Sequence, residues 1–222
     1  MSSPHELPAG DFSAWLGGML AAIRGERSSD VPCDGCTACC RAAQFIHIGP
    51  EEVDALSHIP AELLFPAPRM PRGHVLMGYD ERGHCPMLVD DRCSIYEHRP
   101  RTCRTYDCRV FPAAGLEPDD PDEADHADSA DHADSGKADI AARARRWRFS
   151  YPADGDGALH DAVRAAAAYI RDCDDLVPGG VATTTQLAVL AVEGHGAFLS
   201  KDLPTVETVR VELSRRRGVS DF

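Results

Sequence analysis

The chain has 222 residues, a formal net charge of -13 and nine cysteines, which suits one domain with embellishments or at most two small ones. The negative charge disfavours nucleic acid and anionic membrane surfaces as partners, because both attract cations. Apolar runs all fall well short of the ~20 residues of a membrane-spanning helix, so the sequence predicts a soluble protein.

The N-terminal segment predicts one amphipathic helix with Asp11 available as its N-cap. Its apolar positions, spaced as on one helix face, are Phe12, Trp15, Leu16, Met19, Leu20 and Ile23. The segment has neither a basic cluster nor a small-residue cleavage site, so we expect no secretory signal and a cytoplasmic location. In a reducing cytoplasm, closely spaced cysteines serve more often as metal ligands or redox groups than as disulfides, and their odd number points the same way.

A short β-hairpin is predicted in the middle of the cysteine-rich region. Its two strands would be residues 74–79 and 85–89, joined by a turn-forming stretch, and Asp90 and Asp91 would begin a second tight turn. This arrangement would present Cys85 and Cys93 at loop ends, where thiolates can converge on an ion.

Residues 113–139 form a low-complexity insert in which the six residues ADHADS occur twice in succession. The insert carries ten acidic residues against Lys137 as its one basic residue. A segment of this composition cannot bury enough apolar surface to offset the entropy lost on ordering. We therefore predict a disordered loop.

After the insert, Trp147, Phe149 and Tyr151 alternate with polar residues, which predicts a strand with one buried face. Three helices are predicted to follow: one carrying Leu159, Val163, Ala166 and Ile170, one over residues 184–192, and one carrying Val206, Val209 and Leu213.

The predicted fold class is α+β and mostly helical, with a small metal-organised cysteine-rich domain containing the hairpin. We predict that residues 1–112 combine the N-terminal helix with the cysteine cluster and that residues 113–139 are the disordered insert. Residues 140–222 would add a strand and C-terminal helices that pack on the domain.

Eight of the nine cysteines fall within one third of the chain, and they are the candidate metal ligands: Cys33, Cys36, Cys39, Cys40, Cys85, Cys93, Cys103 and Cys108. An ordinary role as small core residues is disfavoured, because close thiolates repel one another unless a cation compensates them. Cys33 and Cys36 form a C-x2-C pair, in which Gly35 supplies the freedom for a tight turn. Because neighbouring side chains diverge, Cys39 and Cys40 are not both expected to reach one metal.

These motifs resemble those of the YkgJ-type cysteine-cluster family, the CxxCxxCC domain described as zinc- or iron-chelating. The resemblance covers CDGCTACC and CPMLVDDRCSIYEHRPRTCRTYDC, within residues 31–111. It maps the first seven candidate ligands onto the family's cysteines and four connecting residues onto its intermediate motif: Ile95, Tyr96, Arg99 and Pro100. Cys108 fits a less general ending of the pattern. The resemblance implies metal or iron–sulfur binding, and a possible iron–sulfur oxidoreductase activity.

Cysteine ligands suit both tetrahedral zinc and iron–sulfur clusters, and eight of them could hold one centre or two. The run Cys33, Cys36, Cys39 matches the first three ligands of a ferredoxin-type motif, which favours a 4Fe–4S cluster over zinc. Five arginines could offset the cluster's negative charge: Arg92, Arg99, Arg101, Arg104 and Arg109. Two functions follow. The first is an iron–sulfur protein that acts in electron transfer with an unknown redox partner, or in an accessory or sensing role. The second is a structural zinc module for protein interaction. No substrate, acid or base is identifiable.

Overall fold

The structure, a computed structural model, describes residues 6–29, 31–33, 35–118, 133–177, 183–200 and 202–217. The fold is α+β and mostly helical, as predicted. The helices are α1 (Phe12–Ile23), α2 (Val53–His58), α3 (Arg101–Thr105), α4 (Val110–Ala114), α5 (Ala133–Ala144), α6 (Asp156–Arg171), α7 (Thr184–Gly194) and α8 (Val206–Arg217). The strands are β1 (Leu7–Asp11), β2 (Ile46–Ile48), β3 (Leu64–Pro66), β4 (Val75–Met77), β5 (Leu88–Val89), β6 (Arg92–Cys93) and β7 (Trp147–Ser150).

The chain divides into two compact units. As far as their residues are described, unit 1 comprises residues 1–27, 107–119 and 141–222, and unit 2 comprises residues 28–106 and 120–140. The N-terminal helix thus lies in the same unit as the C-terminal helices, whereas the prediction grouped it with the cysteine cluster in residues 1–112.

Unit 1 combines a parallel pair of strands with helices. Strand β1 lies beside β7, with Leu7 opposite Trp147, and the chain passes directly from β1 into α1. Helix α1 buries its predicted apolar face, and the three predicted C-terminal helices are confirmed as α6, α7 and α8. Helix α7 begins with a capping box, in which the Thr183 side chain accepts from the Gln186 N–H and the Gln186 side chain accepts from the Thr183 N–H.

Aromatic rings and a buried ion pair lie in the core of unit 1 among aliphatic side chains. Phe12 stacks on His160 with ring centroids 4.3 Å apart. Arg109 and Asp107 are both buried and form a salt bridge of 2.8 Å, and Asp107 also accepts a hydrogen bond of 2.9 Å from Trp15 Nε1. Charges removed from water in this way need such partners, because an unpaired buried charge is strongly destabilising.

Unit 2 contains two small antiparallel sheets. In the first, β4 is the central strand between β2 and β3, and the second is the hairpin of β5 and β6. The predicted pairing of residues 74–79 with 85–89 is therefore wrong. Strand β4 pairs instead with two other apolar strands, and Pro86 lacks the N–H that a paired strand would use.

The tight turn predicted at Asp90 and Asp91 is confirmed, and it joins β5 to β6. Both aspartates have positive φ values, 47° and 57°, which are the conformations of a two-residue hairpin turn of the primed type. Aspartate tolerates this left-handed region better than most residues.

The predicted disordered insert is helical in its last part. Residues 133–139 form the first part of α5. Residues 119–132 of the insert lie outside the described residues, so the prediction of disorder there stays a prediction. Gly136 is buried in unit 2, where it packs on the backbone of Arg41 so closely that a Cβ atom would clash. Among the residues described, no helix has the length and apolar character to cross a membrane.

Candidate metal centre

Four cysteines of unit 2 form one cluster, which we call the quartet: Cys40, Cys85, Cys93 and Cys103. Every pair within the quartet is close enough for the two thiol charges to interact. Such mutual proximity is the arrangement that a single metal centre with four thiolate ligands requires.

Short elements from three parts of unit 2 supply the quartet. Cys40 lies in a 3-10 turn, Cys93 in β6 and Cys103 in α3. Cys85 is held next to the 3-10 turn of Cys40, because its backbone N–H donates to the Cys40 carbonyl at 2.7 Å. Cysteines 8 to 63 positions apart in sequence thereby reach one place without any one helix or strand holding two of them.

A backbone turn beginning at Cys85 directs an N–H at its sulfur. The Met87 N–H donates to the Cys85 thiol, and the Leu88 N–H donates to the Cys85 carbonyl at 2.9 Å. Burial raises the pKa of Cys85, and the hydrogen bond from Met87 opposes that rise because it stabilises the thiolate. The turn is therefore suited to a cysteine that binds as a thiolate.

Apolar surroundings hold the quartet in a poorly solvated place. Cys85, Cys93 and Cys103 pack against a buried apolar cluster formed by Ile46, Ile48, Ile59, Met77 and Ile95. Burial, with a smaller contribution from the neighbouring thiols, raises the pKa of Cys40 and of Cys103 to about 12. Without a cation, both groups are consequently neutral thiols at neutral pH.

The positive charge of Arg99 acts on the quartet. It lowers the pKa of both Cys40 and Cys103, against the larger effect of burial. The guanidinium carbon lies 3.6 Å from the centroid of the Tyr96 ring, and Nε donates to the Tyr96 carbonyl at 2.6 Å. Two contacts to one residue thus fix the direction of this side chain.

The predicted grouping of five arginines around the cluster does not hold for all of them. Arg109 lies in unit 1, where its guanidinium binds the Asp107 carboxylate and the Ala9 carbonyl. Arg104 instead lowers the pKa of Asp54. Nearness in sequence to a cysteine did not predict these positions, because the short elements send successive side chains in different directions.

The other cysteines of the CxxCxxCC run precede Cys40 in sequence and differ in exposure. The Cys36 N–H donates to the Cys33 carbonyl at 2.9 Å, and Gly35 has φ +76°, so the tight C-x2-C turn forms as predicted. Cys36 lies near enough to raise the pKa of Cys40 slightly. Cys39 is exposed, whereas Cys40 is half-buried, so the two adjacent side chains diverge.

Cys108, the eighth predicted ligand, lies in unit 1 and is buried. Its Sγ accepts a hydrogen bond of 3.1 Å from Trp147 Nε1. The structure therefore does not bring Cys108 into the quartet. Cys173 lies just after α6 and was not predicted as a ligand.

Sulfur spacing bears on the kind of metal. Among the described residues, no three cysteine sulfurs lie within 4.8 Å of one another. A tetrahedral zinc ion with Zn–S bonds of ~2.3 Å would place its four sulfurs about 3.8 Å apart. The quartet is therefore more open than the ligand set of one zinc ion.

Sequence reasoning missed two contributors to this site. The Met87 N–H is a backbone group, and no side-chain pattern could indicate it. Tyr96 was placed by the resemblance in a connecting motif, but its contact with Arg99 depends on the 3-10 turn over Tyr96–His98.

Comparison with known proteins agrees with the donor set. Residues 32–130 match the model of the CxxCxxCC family, described as a putative zinc- or iron-chelating domain. No curated protein and no solved structure matched the chain. The matched span contains the quartet and all eight predicted ligands, so the predicted resemblance is confirmed. Over residues 32–130 the chain is thus similar to the CxxCxxCC family, which agrees with metal binding by its cysteines.

Proposed function

We propose that the quartet binds an iron–sulfur cluster of the 4Fe–4S type, and that the protein uses it for electron transfer or in an accessory or sensing role in the cytoplasm. The observation that carries the proposal is the mutual proximity of four thiols at a spacing wider than one zinc ion requires. Metal binding itself rests also on the family match.

The donor chemistry fits this group. Four cysteine thiolates are the usual ligands of a 4Fe–4S cluster, and each binds a different iron. Thiolates on four different irons stand farther apart than four thiolates on a single ion. The open spacing of the quartet, with no three sulfurs within 4.8 Å among the residues described, supports the cluster over zinc.

Burial of the quartet supports a resident metal rather than free thiols. Three of the four thiols pack against apolar side chains, and two of the four have a pKa of about 12. A cation replaces their protons and removes the mutual repulsion of the thiolates. The apolar cluster of unit 2 contains five buried residues, so metal binding would also contribute to the stability of this small unit.

Two polar contacts support a redox role. The charge of Arg99 and the Met87 N–H both face thiols of the quartet, and charge and hydrogen bonds to cysteine sulfurs are what set the potential of a bound cluster. A bound cluster supplies one-electron transfer. The partner that gives or takes the electron is a further protein of unidentified sequence, and whether an oxidoreductase reaction follows depends on that partner.

The first experiment is anaerobic purification with measurement of absorption, iron, sulfide and zinc. We expect brown protein with broad absorption near ~400 nm and with iron and sulfide in equal amounts. Colourless protein with stoichiometric zinc would contradict the iron–sulfur proposal and support the structural zinc module instead. Protein that binds neither metal would contradict both.

Adjacent cysteines provide a matched pair of variants for the second experiment. Cys40→Ser removes a member of the quartet, and Cys39→Ser removes the exposed neighbour one residue away. We expect Cys40→Ser to lose the metal and Cys39→Ser to retain it. Equal metal content in both variants would show that the quartet is not the ligand set.

A further inference from the structure

A second group of metal-ligating side chains lies in unit 2 and contains no cysteine. It consists of Asp54 and His58, both on α2, and His98, at the end of a 3-10 turn. One potential ligand atom from each residue lies within 4.8 Å of the other two. We propose that this group, here named the histidine site, binds a divalent transition-metal ion such as Zn²⁺ independently of the quartet.

Local structure explains why the three side chains converge. Asp54 and His58 are four residues apart, so they lie one above the other on the same face of α2. His98 comes from the turn over Tyr96–His98, which packs against α2. The rings of His58 and His98 are stacked, with centroids 3.5 Å apart and planes 5° from parallel.

The distances suit one ion. Both ring nitrogens lie near the same carboxylate oxygen, Asp54 Oδ1, with His98 Nδ1 at 3.2 Å and His58 Nδ1 at 3.8 Å. Four-coordinate zinc with bonds of ~2.1 Å to nitrogen and oxygen has ligands about 3.4 Å apart. These two separations lie on either side of this value, so shifts of a few tenths of an ångström, together with a rotation of the parallel imidazole rings, would bring the three atoms to bonding distance.

Charge also favours a cation here. His98 and, more weakly, His58 and Arg104 hold the pKa of Asp54 below its usual range, so the carboxylate is ionised at neutral pH. Both Nδ1 atoms face an oxygen that accepts, the Asp54 carboxylate for His98 and the Asp54 carbonyl for His58, so each ring must carry its proton on Nε2 when Nδ1 binds an ion.

Two features compete with the metal. His58 Nδ1 lies 2.9 Å from the Asp54 carbonyl oxygen and 3.1 Å from Ser57 Oγ. Both contacts of this nitrogen are lost when it binds an ion. Arg104 adds a positive charge near Asp54. The side chains are also substantially exposed, with 71% for Asp54 and 40% for each histidine, which leaves room for water as the remaining ligand.

Ligand type separates the histidine site from the quartet. Two imidazoles and one carboxylate suit Zn²⁺, Co²⁺ or Ni²⁺, whereas four thiolates suit iron–sulfur clusters or zinc. A variant of one group should therefore leave the metal content of the other unchanged.

The test is equilibrium dialysis of the full-length protein, as purified with its cysteine-bound metal, against Zn²⁺. We expect one additional zinc per chain, lost in His98→Ala and in Asp54→Asn and retained in His74→Ala. His74→Ala is the matched control, because His74 belongs to another histidine pair in unit 2, in which His74 Nδ1 lies 2.9 Å from His47 Nε2. Arg104→Gln should bind zinc more tightly than the unchanged protein.

A second measurement follows the ring proton signals of the histidines by NMR, so that the result does not depend on how well the variants fold. Zinc should shift the signals of His58 and His98 and leave those of His74 in place. No additional zinc, or the same zinc content in His98→Ala, would overturn the proposal. Loss of cysteine-bound metal in Cys40→Ser tests the quartet alone, so failure of one site is distinguishable from failure of the other.

Discussion

The high pKa values in the quartet predict that its metal affinity depends steeply on pH. Cys40 and Cys103 have a pKa of about 12, so both remain protonated from pH 6 to pH 9. A metal binds the thiolate, so each of these cysteines must release one proton when it becomes a ligand. Lowering the pH adds protons that compete with the metal, and affinity should fall.

The size of the effect follows from the number of protons. Two thiols that are fully protonated throughout this range release two protons, which changes the affinity about 100-fold for each pH unit. At about 1.36 kcal/mol per proton and pH unit, the free energy of metal binding changes by about 2.7 kcal/mol for each pH unit. The pKa of Cys85 is also raised, so 100-fold is the lower bound if Cys85 is a ligand as well.

Reduced, metal-free protein should be titrated anaerobically with Zn²⁺ as the probe, in competition with a chelator of known pH dependence. The His98→Ala background removes binding at the histidine site from the measurement. We expect the logarithm of the affinity to rise by at least two per pH unit, and Cys39→Ser to show the same slope. Fewer than two protons released per zinc would refute the reasoning from the buried thiols.

Three further predictions concern the two units separately. Gly136→Ala should lower the thermal stability of unit 2, because the new methyl group would clash with the Arg41 carbonyl; an unchanged melting temperature would contradict this packing. Burial lowers the pKa of His160, so the unfolded chain takes up this proton more readily and the free energy of unfolding of unit 1 should decrease as pH falls below about 6.5. A His160→Gln variant should show a weaker dependence in acid unfolding followed by circular dichroism. Asp107→Ala should destabilise unit 1 by about 3–5 kcal/mol in urea unfolding, because it leaves the buried Arg109 charge without its carboxylate, while the metal content stays the same.

Predictions from periodicity agreed with the structure where one face of an element is buried over several turns. Helices α1 and α6 are long enough to show the full apolar spacing, and both formed as predicted. The hairpin prediction failed in unit 2, where strands have two or three residues. Such strands carry too little pattern to indicate which partner they pair with.

The candidate site shows the same division. Residue types and spacing indicated a cysteine-ligated metal and a tight turn at Cys33–Cys36, and they also indicated that Cys39 and Cys40 diverge. Which of the two adjacent cysteines faces the others depends on the hydrogen bond between the Cys85 N–H and the Cys40 carbonyl, a contact between residues 45 positions apart. Local preferences carry no information about such a contact.

By itself, the sequence determined the residue chemistry of this protein: many thiols in a short segment, an acidic insert, and helices with one apolar face. Only the tertiary structure decided which side chains share one place. It grouped Cys40 with Cys85, Cys93 and Cys103, and it buried Cys108 in unit 1 beside Trp147. Thiol chemistry is a property of each residue, whereas ligand sets arise from long-range packing that no local pattern encodes.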